Sequence, residues 1–188
     1  MFQFSRFFGF IYVQIREVVV KESKSATVNF RKIESRDNLE LAALIRGVLK
    51  EHGIDKPGTV YTDPTTDALF ELFEREKAIY WIAEMNGRMV GGCGIYPTPG
   101  LDADCTELVK LYVNSKTRGL GLGRELMNIS INSAIETGYS KIYLETLPEL
   151  SSAIGLYESL GFKSLSAPLG NSGHFACNLW MLKEVDSE

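Results

Sequence analysis

Arg118-Gly119-Leu120-Gly121-Leu122-Gly123-Arg124 is the stretch on which the fold of this chain turns. It follows an apolar, strand-like run, Leu108 to Val113, and opens into a helical pattern that begins near Leu122. Three glycines at alternate positions let the backbone approach a bulky ligand with no Cβ in the way. The helix that follows offers unpaired N–H groups and roughly half a positive charge at its start. A strand, a glycine turn and a helix start together make a site for a phosphate or diphosphate.

Spacing tests which site it is. A Walker loop ends in Gly-Lys-Ser/Thr, whereas Gly123 is followed by Arg124 and Glu125. A dinucleotide fingerprint needs a third glycine three residues after the second; Arg124 or Leu126 stands there, depending on which pair is counted. What remains is Arg118-x-x-Gly121-x-Gly123, which resembles the acetyl-CoA pyrophosphate loop of the GNAT superfamily of N-acetyltransferases. The downstream sequence agrees, in order. Leu122, Leu126, Ile129 and Met127, Ile131, Ala134 form the apolar stripe of an amphipathic helix, which Gly138 closes. Lys141 to Thr146 reads as a buried strand. Ala153-Ile-Gly-Leu-Tyr157-Glu-Ser-Leu-Gly161-Phe162 is similar to the family's A-x-x-L-Y-E-x-x-G-F segment, a short helix whose Tyr points at the coenzyme sulfur. Together the two motifs cover residues 107–162.

Working outward, Thr27 to Ile33 is a first strand and Asp37 to His52 a helix, with Leu41, Leu44, Ile45, Val48 and Leu49 on its apolar face. Asp63-Pro64 is an N-cap and first-turn proline opening a second helix through about Arg75. Ala78–Glu84 and Arg88–Tyr96 form a hairpin across Asn86-Gly87. Glu107 to Val113 is the fourth strand and Phe175 to Lys183 the closing one. The order β-α-α-β-β-β-α-β-α-β predicts an α/β (α+β) fold, a mixed, mostly antiparallel central sheet flanked by helices, as in GNAT enzymes. One such domain is expected over residues 27–185.

Composition sets limits. The chain has 188 residues, 45% of them hydrophobic, enough for one core. A net charge of −4 with no basic cluster argues against nucleic acid. Cys93, Cys105 and Cys177 lack metal or redox spacing and read as small buried hydrophobes in a reducing cytoplasm. His52 and His174 are too scattered for a zinc site, so no metal is expected. Residues 1–26 resemble a weak signal peptide, but Gln14 and Arg16 break the apolar run and no small-residue cleavage site follows. The run is too short and interrupted to span a bilayer. An extension from an early start codon or an extra strand packing on the domain edge is favoured over targeting, and no membrane partner is expected.

The resemblance implies transfer of acetyl from acetyl-CoA to an amine. An alkyl amine has a pKa of about 10.4, so under roughly one part in a thousand is free base at neutral pH. A base must take its proton, and the departing thiolate benefits from an acid. Tyr157 matches the family Tyr that protonates the thiolate. Glu107, eleven residues before Arg118, matches the catalytic Glu of the histone-acetyltransferase branch; Glu145 and His174 are further contenders. On strict alternation Glu107, Val109 and Leu111 share one strand face, and Leu108, Lys110 and Tyr112 the other. Leu111, Tyr112 and Val113 resemble the segment whose backbone pairs with pantetheine. Arg118, Gly119, Leu120, Gly121, Leu122, Gly123 and Arg124 correspond to the pyrophosphate loop. Many relatives have Asn seven residues before the Tyr; here Leu150 holds that place, with Ser151 or Ser152 beside it. Acceptor contacts are expected from residues 56–63 and 170–174, with Tyr61, Asp63 and His174 able to orient an amine, although Asp63 before Pro64 reads first as a cap. The acceptor stays open among small amines, amino acids and peptides, and a homodimer is left open. The alternative function is a catalytically silent acyl-CoA sensor of the same fold.

Overall fold

The computed structural model describes residues 26–185, so nearly all of the expected N-terminal extension lies outside the described residues. Along the chain follow β1 (Val28–Lys32), α1 (Asn38–Glu51), α2 (Leu69–Phe73), β2 (Ile79–Met85), β3 (Arg88–Tyr96) and β4 (Cys105–Val113). Then come α3 (Leu122–Glu136), β5 (Lys141–Thr146), α4 (Ser151–Ser159), β6 (Lys163–Leu165) and β7 (Leu179–Glu184). The strands form one sheet in the order β1-β2-β3-β4-β5-β7-β6. Only β4 and β5 pair in parallel; every other neighbour is antiparallel. The predicted mixed sheet flanked by helices is therefore present.

Local chemistry explains most boundaries. Asn86 and Gly87 both take positive φ, 52° and 74°, as the tight hairpin turn between β2 and β3 requires. Gly138, at φ 90°, follows α3 in the left-handed position that ends a helix. Arg31 on β1 bridges Asp37, at 2.6 and 2.8 Å, and Glu84 on β2, at 2.7 Å, and so fixes the entry to α1. One face of the sheet buries Leu41, Ile45 and Leu49 of α1 with Leu69 and Phe73 of α2. The other buries Leu122, Leu126, Met127 and Ile131 of α3 with Tyr157 of α4.

Three elements differ from expectation. The second helix is split: Pro64–Asp67 forms a 3-10 turn, Ala68 leaves helical space at φ −133°, and α2 restarts at Leu69. Asn38 supplies the reason, since its side-chain oxygen accepts the Phe70 N–H at 2.8 Å and caps the new start from α1. The strand β6 was not expected; it pairs with the outer edge of β7. The closing strand begins at Leu179 rather than Phe175, because residues 174–177 close a turn through Cys177 N–H to His174 O, 3.0 Å.

The most consequential departure lies in β4. Gly92 pairs with Tyr112 and Gly94 with Val109, so Lys110 and Leu111 together oppose Cys93. This is a β-bulge, and Lys110 carries it at φ 53°. An extra residue inverts the alternation beyond it. Leu111 therefore packs on the Leu108 side and Tyr112 on the Val109 side, the reverse of the predicted assignment. The Tyr80 hydroxyl donates to Lys110 O at 2.8 Å and braces the bulge. Its ring lies on Gly92 and Gly94, where a Cβ would come within 2.5 and 2.6 Å of it.

Candidate active site

The β4–β5 ladder lasts only from Cys105–Lys141 to Glu107–Tyr143, although β4 runs on to Val113 and β5 to Thr146. Beyond Glu107 the edge of β4 that faces β5 has no partner strand. Two spaces open along that split and meet at Leu111, Tyr112 and Leu150, which line both.

The larger is a groove of about 510 Å³, the size of an ordinary ligand site. The glycine loop forms one wall and Ser152, Ala153 and Leu156 of α4 the other. Gly119 and Gly121 take φ of 79° and 81°, and Gly121 is the N-cap of α3. The helix's first internal bond is Glu125 N–H to Gly121 O, 3.1 Å, so the N–H groups before it are free of helical partners. Gly123 is more telling. Its φ is not positive, and a Cβ there would meet nothing nearer than Leu156 at 3.5 Å. Neither backbone strain nor internal packing asks for glycine at 123; what its bareness leaves is room in the groove. Arg118, held by Val113 O at 3.1 Å and Glu51 at 2.7 Å, and Arg124, held by Ser159 at 2.7 Å, flank the loop. Loop and arginines fit a diphosphate-bearing ligand such as acetyl-CoA. Leu120 is 42% exposed and lies outside the groove lining. Leu150, in place of the family's Asn, and Ser152 do line it.

The smaller space is a cavity of about 60 Å³, room for the end of a ligand rather than its length. Glu107, Lys110, Glu145, Tyr157, His174 and Cys177 are among its walls. Glu107 is 3% exposed and accepts a hydrogen bond from the Thr98 hydroxyl. Burial pushes its carboxyl up to about 7 against the lowering effect of Thr98; Glu145 pushes the same way as burial, and His174 and Lys110 oppose it. Glu145 accepts from Tyr143 Oη at 2.8 Å and Ser172 Oγ at 2.7 Å. Among the described residues neither carboxylate has a lysine or arginine partner. Burial also raises the Tyr157 hydroxyl above its ordinary value, so it stays protonated at neutral pH.

Lys110 is the cation of the site, and it is engaged elsewhere. Its Nζ lies 2.8 Å from Asp63 Oδ2, and His174 Nε2 lies 3.3 Å from the same oxygen. Burial lowers the Lys110 ammonium's pKa and Asp63 opposes that. Asp63 is held well below the usual carboxylate range: burial works against this, and His174, Lys110 and Thr65 overcome it. The cap reading of Asp63 also holds, through its other oxygen, which accepts Thr65 N–H at 2.9 Å.

The structure thus gathers Glu107, Glu145, Tyr157 and His174 about one cavity, with Asp63 directly behind. Tyr61 is not brought in; it lies outside the cavity lining, with the Lys50 ammonium 5.7 Å from its ring centre. Sequence reasoning missed Lys110, placed by a bulge that the strand's own pattern does not announce. It also took Cys177 for a core residue, whereas Cys177 is half-buried and lines the cavity. Among the described residues no cluster suited to a metal is found, and no helix is long and apolar enough to cross a membrane.

Comparison with known proteins bears on this geometry. The chain is 40% identical over 157 residues to the uncharacterized N-acetyltransferase YjgM of Escherichia coli, covering 82% of this chain and 93% of that protein. It is 32% identical over 115 residues to human N-acetyltransferase 8, matching 57% of this chain and only 51% of that longer protein. A GNAT-family acetyltransferase structure from Staphylococcus aureus superposes with a TM-score of 0.73 at 21% identity, over 85% of this chain and 99% of that one. The yncA structure from Salmonella typhimurium, solved with acetyl-CoA, superposes with a TM-score of 0.66 at 20% identity, over 86% and 95%. Residues 46–162 match the model of the Acetyltransferase (GNAT) family, and with the glycine loop, the split sheet and the Tyr157 helix in place, this chain belongs to that family.

Proposed function

We propose that the protein transfers acetyl from acetyl-CoA to a primary amine by direct attack. The observation that carries this is the meeting of the two spaces at Leu111, Tyr112 and Leu150, with Glu107 and Tyr157 on the cavity side. Acetyl-CoA supplies an activated acetyl thioester and a thiolate leaving group. The loop from Arg118 to Arg124 holds its diphosphate through free N–H groups, and the unpaired edge of Leu111–Val113 pairs with the extended arm. That places the thioester beside Tyr157, whose protonated hydroxyl gives its proton to the departing sulfur.

The acceptor enters the smaller cavity. Glu107 and Glu145 lack a cationic partner while the Lys110 ammonium is bound to Asp63, so the cavity favours a positively charged amine. Glu107 is the base: with its carboxyl near neutrality it accepts the ammonium proton at working pH. The free amine nitrogen then bonds to the acetyl carbon as the carbon–sulfur bond breaks, and the second proton that the nitrogen sheds on becoming an amide returns to the Tyr157 oxygen that protonated the thiolate. Cys177 does not compete as a nucleophile, because burial and the nearby Glu145 and Glu107 push its thiol up to about 12.

The test is thiol release from acetyl-CoA against a panel of small amines, amino acids and short peptides. Acceptor-dependent release is expected, with Tyr157→Phe lowering kcat about a hundredfold at little change in acetyl-CoA KM. CoA binding with no release on any acceptor favours the silent sensor instead. Absence of CoA binding refutes both.

A further inference from the structure

Residues 166–178, between β6 and β7, form a strap that brings His174 and Cys177 to the wall of the acceptor cavity. Its docking points are few and identifiable. Leu169 N–H donates to Tyr143 Oη at 3.2 Å, and Asn171 N–H to Pro99 O at 2.7 Å. Ser172 Oγ donates to Glu145 at 2.7 Å. Ala176 N–H donates to Gly58 O at 3.1 Å, and the Phe175 ring covers Gly58 so closely that a Cβ there would lie 2.4 Å from it. Phe175 itself is 82% exposed, so the ring contact is a lid laid over backbone rather than a core anchor. The other wall of the mouth, residues 53–63, is likewise loop. Two irregular segments, distant in sequence, thus enclose a site that needs ångström-level placement.

One charged link joins them. Asp63, on the first segment, faces His174, on the second, and both meet over Lys110. Lys110 reaches this place only because the bulge carries it at φ 53° and Tyr80 Oη fixes its carbonyl. Its side chain is 4% exposed, and Asp63 is the one ion-pair partner it has among the described residues. A bulge that re-aims a side chain beside a reaction site is a common device, and a buried ammonium demands a carboxylate. Neither proton transfer nor thiolate release, as proposed above, uses Lys110.

We propose that Lys110 is the positioning residue of the acceptor site: its buried ammonium pins Asp63, and through Asp63 the His174 strap, over the cavity, so that both acceptor-side segments are set from the bulge in β4. The pin also fixes specificity. Asp63 is occupied by Lys110, leaving the acceptor's ammonium to Glu107 and Glu145. The groove that holds the coenzyme takes no part in it.

This deepens the transferase reading, and the test separates the two. Hydrogen exchange is followed by mass spectrometry in the full-length protein with CoA bound, for wild type, Lys110→Met, Asp63→Asn and the double variant. In Lys110→Met the peptides covering 56–63 and 170–178 are expected to exchange about tenfold faster or more, with those covering 118–126 unchanged. A pair acting as a unit gives coupling of this order. The double variant lacks the same link as either single one and is expected to lose protection to about the same extent. Equal protection of the strap in wild type and Lys110→Met overturns the proposal whether or not any acceptor is known. So does loss of protection that is additive in the double variant. Where an acceptor is found, Lys110→Met raises its KM about tenfold and leaves acetyl-CoA KM within about twofold; a rise in both together, or a fall in kcat alone, overturns it.

Discussion

Replacing Glu107 by Gln removes a titrating carboxyl while keeping an oxygen that accepts the Thr98 hydroxyl. Two effects of opposite benefit follow. The first concerns stability. A carboxyl moved from its ordinary 4.5 to about 7 binds its proton more tightly folded than unfolded. Its favourable contribution is complete below about pH 4.5 and is lost as pH rises through about 7. Above that, the folded protein holds a buried carboxylate at a cost on the order of 3 kcal/mol. The Gln variant carries no such cost. It should therefore be more stable than wild type at about pH 8, by up to about 3 kcal/mol or roughly 6–12 °C in Tm, and equal to it near pH 4. The second effect concerns rate. Loss of a general base costs about a hundred to ten thousandfold, and the acid limb of kcat/KM, centred near 7 in the wild type, should vanish. Thermal melts across pH, paired with thiol-release kinetics, measure both. A variant that is slower but not stabilised at alkaline pH refutes the buried-carboxylate account. One that is stabilised yet keeps full rate and the same acid limb refutes Glu107 as base and passes the role to Glu145, His174 or water.

Gly123→Ala should separate coenzyme binding from folding. Because nothing in the protein opposes a Cβ there, the helix gains about 0.5–1 kcal/mol from the substitution, while acetyl-CoA affinity by calorimetry falls more than tenfold. Destabilisation with unchanged affinity would show that the groove does not hold the coenzyme against this turn. Tyr80→Phe removes the side-chain donor on Lys110 O, a buried carbonyl, at a cost of about 1–3 kcal/mol in chemical denaturation. A neutral result would mean that the bulge stands without its brace.

What the sequence revealed and what it hid divide along a physical line. The glycine loop, the Asn86-Gly87 turn and the Gly138 helix end are read from φ requirements that belong to the residue itself. The α1 and α3 stripes follow from one helix's own periodicity. The bulge is different: it is a relation between two strands, and the Leu108–Val113 run alternates no differently for having it. Its trace is on the partner strand, in Gly92 and Gly94, because glycines inside a strand mark a close approach, here of the Tyr80 ring. Missing that trace misassigned Leu111 and Tyr112 and left Lys110 out of the site. Asp63 shows a second limit. A cap and an ion-pair partner look like rival readings, but a carboxylate has two oxygens, and one accepts the capping Thr65 N–H while the other meets Lys110 and His174. The family resemblance points to residues 170–174 by their place before the last strand, but not to the shape of the strap, which depends on Pro99, Gly58 and Tyr143, none adjacent in sequence.

Several features unfavourable to folding lie together in β4. A central strand loses its neighbour after three paired residues, a lysine takes a left-handed backbone, and a carboxyl and an ammonium are buried within the same strand. Each unfavourable feature has a counterpart in the proposed reaction. The unpaired edge offers backbone groups to the coenzyme arm, and the bulge turns Lys110 to Asp63. The buried Glu107 sits without a cation until the acceptor brings one. An ammonium within about 4–6 Å favours the ionised carboxylate, so the substrate itself supplies the charge that readies its base. The ladder between β4 and β5 ends at Glu107, so the proposed base stands at the fork where the proposed coenzyme groove and acceptor cavity begin to separate. Extending that ladder toward Val113 and Thr146 would stabilise the sheet and close the space in which the two substrates meet.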